Sequence, residues 1–180
     1  MNKKGGIYMR ETLENLKTRR SCRSYKPEQI KEGELQQILE AGTYAPTGMG
    51  MQSPVMVVLQ DPEEIRELSK MNAEIMGVSS DPFYGAPTVI VVLADRNRGT
   101  YVEDGSLVMG NLMNAAHAMG LGSCWIHRAK EEFESPKGKE LLKKWGLGEN
   151  YAGIGHCILG YEAEPPKEAK PRKEGYIIRR

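Results

Sequence analysis

In IKEGELQQILEAG the apolar residues Ile30, Leu35, Ile38 and Leu39 recur at helical spacing, which predicts an amphipathic helix. Residues 8–18 repeat the pattern more briefly, with Leu13 and Leu16 on one side among charges. A third helix is predicted over 62–75, because Asp61 is a residue type that caps helix starts and Pro62 suits a first turn that needs no N–H. The stretch GSLVMGNLMNAAHAMG, 105–120, has helical length and is apolar nearly all round. A helix with so little polar face belongs inside a domain or against a second subunit, so a homodimer seam is expected here.

Four apolar runs are short and read as strands: VMVVL (55–59), TVIVVLAD (88–95), SCWI (123–126) and GIGHCILGY (153–161). The second is too continuously apolar for a sheet edge, and the last two also read as central strands. Ser135 and Pro136 open one more helix between those two, ending at ELLKKWG. The glycines and prolines of APTGMGMQSP (45–54) demand an irregular loop, and VSSDPFYGAP (78–87) reads as a long flexible connection. The charged tail, 162–180, either dangles or wraps a partner subunit.

The length of 180 residues suits a single domain, 1–180, with a core of its own. Lys and Arg total 25 against 24 Asp and Glu, a net charge of +1, so no global basic field recruits nucleic acid or an anionic membrane. Any anion site must be local. Cys22, Cys124 and Cys157 are an odd, widely spaced set that fits neither a disulfide framework nor a zinc site, and reduced thiols in a cytoplasm are expected. The first residues lack the apolar stretch of an export signal, and no run approaches the roughly 18 apolar residues of a membrane span, so a soluble, cytoplasmic chain is expected.

Several chemistries lack their motifs. There is no GxxxxGK[ST] loop, and the glycine pairs Gly48/Gly50 and Gly120/Gly122 follow helices where a dinucleotide fingerprint must follow a strand. His117, His127 and His156 have neither metal spacing nor a neighbouring acid in the sequence, and no metal site is expected. What stands out is RRSCRSYKPEQI (19–30), with three arginines and a lysine within eight residues just past the first helix. Arginine's planar fork suits bidentate contact with phosphate, and Ser21 adds a hydroxyl between the arginines. Cations at a helix end also complement its dipole, which is the plainer explanation. The interleaved serine and the Gly-rich loop one helix later favour a phosphorylated, hydrogen-bonding ligand.

RRSCRSYKPEQI, LQQILEAGTYAPTGMGMQSPVMVVL, MGLGSCWI and ILGYEAE resemble, in order and separation, the motifs of the FMN-dependent nitroreductase family. That resemblance implies an α+β fold of three layers, α-β-α: a central, mostly antiparallel sheet flanked by helices, with a domain-swapped C-terminal tail, about 162–180, extending onto the partner subunit. It implies a homodimer with FMN at the subunit interface and NAD(P)H as co-substrate. The flavin N5, with no catalytic side chain, would pass electrons in ping-pong order to a nitroaromatic, quinone or similar small-molecule acceptor. A flavin-consuming or dehalogenating enzyme of the same fold, or a non-catalytic flavin binder, is the alternative.

Carried over by residue, the resemblance places Arg19 and Ser21 on the FMN phosphate, with Arg20 between them, and Lys170 and Arg172 of the tail completing the clamp. Arg23 matches the cation at the flavin's pyrimidine edge, where it would stabilise the negative charge of the reduced ring. Pro46, Thr47, Gly48, Met49, Gly50 and Gln52 match the loop lent to the partner's flavin, although Gly50 stands where many members have asparagine. Asn72 matches an asparagine that bonds the uracil edge. Trp125, Ile126 and His127 match the strand end whose backbone faces N5 and O4, where the backbone of His127 is expected to matter more than its ring. Phe83 and Tyr84, in the connection, are expected to border the substrate channel.

Overall fold

The computed structural model describes residues 5–180, with side chains described from Glu11 onward. Six helices and four strands follow one another among them: α1 Gly5–Thr18, α2 Glu32–Thr43, β1 Pro54–Leu59, α3 Pro62–Met76, β2 Thr88–Asp95, α4 Tyr101–Ala118, β3 Gly122–Ile126, α5 Ala129–Glu134, α6 Pro136–Lys144 and β4 Tyr151–Gly160. The local signals hold where they are strong. Asp61 caps α3 by accepting from the N–H groups of Glu63 and Glu64 at 2.8 and 3.1 Å, and Gly77, at φ 69°, ends the helix in the left-handed conformation. Ser135 likewise accepts from the Gly138 N–H at 3.0 Å and opens α6.

The strands form one antiparallel sheet in the order β1-β2-β4-β3. Because successive residues of a strand point to opposite faces, β2 supplies two cores at once. Val89, Val91 and Leu93 pack with Ile65 and Leu68 of α3, Phe133 of α5 and Leu142 of α6, while Ile90 and Val92 pack with Leu35 and Ile38 of α2 and Met109 and Leu112 of α4. The result is helices, sheet and helices in three layers. No helix among the described residues is long and apolar enough to cross a membrane.

Three expectations need correction. β3 is not central: it forms one edge of the four strands, and its outer side is met by the single bridge Ser21↔Ser123. The short helix α5 has no periodic signal of its own, and it follows β3 through Arg128 in the left-handed region at φ 79°. The 78–87 connection is built as a capped turn around Asp81: the N–H groups of Phe83 and Gly85 donate to its two carboxylate oxygens at 2.8 and 2.7 Å, and the Ser69 hydroxyl of α3 donates to the first. Beyond Glu162 the chain runs exposed to Arg180 without a helix or extended strand.

Candidate functional site

The chain leaves α1 at Thr18 and runs along the β3 edge, fixed from two sides. On the sheet side the Cys22 N–H donates to the Ser123 carbonyl at 2.9 Å. On the tail side Tyr25 bridges Glu162, the Ala163 N–H donates to Ser24 at 3.0 Å and the Lys26 N–H to Tyr161 at 2.9 Å. A cleft of about 380 Å³ lies between, lined by Arg20, Ser21 and Arg23 and, from the tail, by Glu164, Pro166 and Lys167.

The arginines divide two roles between them. Arg20 takes the helix-end role: its Nη1 donates to the Lys17 and Arg19 carbonyls at 2.7 and 2.6 Å, satisfying groups that a helix terminus leaves orphaned. Among the described residues Arg19 keeps its Nη1 buried with no partner, and beside the strip the Ser123 hydroxyl is also buried and unpartnered. His117 of α4 bonds the Thr18 hydroxyl at 2.9 Å. Burial, then the nearby Arg19 charge, hold His117 below the ordinary imidazole value, so this neighbourhood disfavours a further cation. Buried polar groups are normally partnered. An unpartnered guanidinium nitrogen and an unpartnered hydroxyl have the chemistry that suits the oxygens of a phosphate monoester.

A second knot shapes the 46–53 loop. Asp104 of α4, 2% exposed, accepts from the Gly48 N–H and the Ser53 hydroxyl at 2.8 Å each and from the Thr100 hydroxyl at 3.2 Å. Burial raises its carboxyl, but these donors outweigh that and hold it below the ordinary value. The glycine at 48 serves this chain directly: a Cβ there would lie 2.3 Å from the Thr100 Oγ1. Thr47 closes the loop by accepting from the Gln52 N–H at 3.0 Å, so Met49, 96% exposed, and Gln52 are held in the left-handed region at φ 54° and 49°. Pro46, Gly50 and Gln52 are exposed on the same outward turn.

The structure places the other expected residues differently. Asn72 is fully buried, and its amide donates to the His127 carbonyl at 2.8 Å. It therefore fixes the end of β3 from inside the core and presents no amide at the surface. Ile126 is buried and the Trp125 Nε1 is buried without a partner, while His127 is exposed. Phe83 is 1% exposed, with its ring centroid 5.1 Å from that of His156, so it anchors the turn and cannot border a channel; Tyr84, 42% exposed, remains at the surface. Lys170 and Arg172 are exposed and lie outside the residues that line the cleft.

Sequence reasoning passed over Asp104, Ser123, Asp81 and the buried pair of Glu132 and His156. The acid in the first turn of the most apolar helix was the available signal for Asp104. His156 Nε2 and Glu132 Oε2 stand 2.8 Å apart, both fully buried, off the line of a ring N–H hydrogen bond. Cys22, Cys124 and Cys157 are free and buried, and burial pushes the Cys22 and Cys157 thiols up, away from the reactive thiolate.

The fold and the cleft define an α+β protein with an arginine-lined cleft against a sheet edge. The sequence pattern of the nitroreductase family matches residues 16–82 and 74–161, and the chain belongs to that family. A candidate NADH dehydrogenase/NAD(P)H nitroreductase of Archaeoglobus fulgidus is 32% identical over 167 residues, spanning 90% of this chain and 89% of the relative. The NADPH-flavin oxidoreductase of Vibrio harveyi is 28% identical over 181 residues, with 94% of this chain and 73% of the relative covered. Among solved structures, a nitroreductase with bound FMN from Bacteroides fragilis has a TM-score of 0.85 at 28% identity, covering 93% of this chain and 97% of that one. Another with bound FMN, from Desulfitobacterium hafniense, gives 0.83 at 27%, covering 94% and 98%.

Proposed function

We propose that the chain is an NAD(P)H-dependent FMN oxidoreductase acting as a homodimer on a small-molecule acceptor. The observation that carries this reading is the buried, unpartnered Arg19 Nη1 and Ser123 hydroxyl together with the Arg20–Arg23 cleft, in a family whose solved relatives include FMN-bound nitroreductases. Arg19 and Ser21 would bind the phosphate of FMN, and Lys170 and Arg172 of the exposed tail would close over it. Arg23 would stand at the pyrimidine edge of the ring, and the Trp125–His127 backbone, held by Asn72, would face N5 and O4. Bound FMN would supply hydride chemistry, accepting from NAD(P)H and passing electrons to a nitroaromatic, quinone or similar molecule in ping-pong order.

A second copy would complete the site. Leu13, Leu16, Val102, Leu107 and Met49 are all exposed, an apolar set on α1, α4 and the 46–53 loop that a partner would cover. The loop tip at Met49–Gly50 would then reach the partner's flavin, and Gln52 would supply an amide there. Tyr84 and the His127 ring would border the space left for the acceptor.

The test is optical. Purified protein reconstituted with FMN should bleach anaerobically with NADH or NADPH, recover its colour when p-nitrobenzoate or a benzoquinone is added, and elute as a dimer. Protein that holds FMN but does not bleach with either nicotinamide would be a flavin binder, and the enzymatic reading would be withdrawn.

A further inference from the structure

Arg23 lines the cleft with an exposed guanidinium that has no carboxylate partner among the described residues. Its neighbour is the ring of Tyr84, whose centroid lies 6.0 Å from the Arg23 Cζ. That is the outer limit at which the electron-rich face of an aromatic ring attracts a cation. Tyr84 stands there on a rigid mount. Asp81 bonds the N–H groups on both sides of it, Ser69 ties Asp81 to α3, and Phe83 is sunk against His156. The mount holds Tyr84 at φ 55°, a left-handed conformation that a bulky residue adopts only where its surroundings impose it.

A salt bridge could orient the Arg23 side chain, but it would cancel the positive charge. An aromatic face orients a guanidinium and leaves its charge intact. We propose that Tyr84 is a positioning residue for Arg23, holding its guanidinium at the cleft without a counter-charge so that it favours reduced over oxidised flavin. This rests on the reading above that Arg23 faces the flavin's pyrimidine edge. The turn built on Asp81 is then part of the redox site, although it lies some sixty residues from Arg23 in the sequence.

The test is the midpoint potential of bound FMN in the FMN-loaded protein, with the wild type compared to Tyr84→Phe, Tyr84→Ala, Arg23→Ala and the double variant. Tyr84→Phe keeps the ring and should leave the potential unchanged. Tyr84→Ala should weaken the preference for reduced flavin about two- to fivefold, or roughly 10 to 20 mV for a two-electron couple. Arg23→Ala should lower the potential further, and adding Tyr84→Ala to it should change nothing more. Should the alanine variant not fold, Tyr84→Gly gives the same reading, since glycine accepts the left-handed backbone freely. A shift with Arg23→Ala but none with Tyr84→Ala, or strictly additive shifts, overturns the role of Tyr84 alone. No shift with Arg23→Ala overturns the placement of Arg23 and this inference with it.

Discussion

Asp104 is buried outright and the half-buried Arg19 carries one guanidinium nitrogen out of solvent, and the protein treats the two in opposite ways. Asp104 receives three donors, from Gly48, Ser53 and Thr100, and these bind α4 to the 46–53 loop. Arg19 keeps a buried nitrogen without a partner among the described residues, and the Ser123 hydroxyl shares that condition. A satisfied buried charge holds structure together, whereas an unsatisfied one weakens the free protein and strengthens binding of whatever supplies the missing acceptor. One region uses its polar groups on its own fold. The other leaves them unsatisfied, which is what the proposed FMN phosphate would answer.

The sharpest tests begin where an ionisable group is buried most deeply. Glu132 and His156 are the most deeply buried acid–imidazole contact, so Glu132→Ala should destabilise the protein by about 3–5 kcal/mol in urea titrations, while pairing Glu132→Leu with His156→Phe should restore most of the loss. Asp104→Ala should cost about 3 kcal/mol, because three donors lose their acceptor. The same group predicts a pH dependence. Its folded carboxyl lies below the ordinary 3.8, so its contribution is complete above that value and is lost as the pH falls through the lower folded value. The stability gap between wild type and Asp104→Asn should therefore close over that acid window.

For the unpartnered groups the stability effect should vanish or change sign. Arg19→Ala should leave the apo protein within about 1 kcal/mol of wild type, yet weaken FMN binding by about 10- to 100-fold in fluorescence titrations, the worth of one or two charge-assisted hydrogen bonds. Ser123→Ala is the mildest case: a neutral or slightly raised melting temperature without FMN, and a loss of binding of about fivefold with it. If Arg19→Ala instead destabilised the apo protein as much as Asp104→Ala, the contrast between the two regions would be gone.

The grouping of the arginine strip was legible because it is local: Arg20, Ser21 and Arg23 lie together in the chain and line the cleft together. The capped helix starts at Asp61 and Ser135 and the buried β2 were legible for the same reason. Asn72 and Phe83 were placed at the site by position in the chain and proved to face the core, one holding the His127 carbonyl and the other packed on His156. What decides such cases is the side of an element on which a side chain emerges once distant segments meet, and no local pattern encodes it.

By itself, the sequence determined most of the helices and strands, the continuously apolar run that buries β2, and a dense local charge in a chain of near-zero net charge. These depend on neighbours a few residues apart, where periodicity and capping act. Only the tertiary structure decided that β3 lies at an edge, that Arg20 serves the helix end while Arg19 stays open, that Asp104 governs a loop more than fifty residues before it, and that Tyr84 meets Arg23. Each of these joins groups far apart in the chain, and only the packing of the two cores against the sheet brings them within bonding distance.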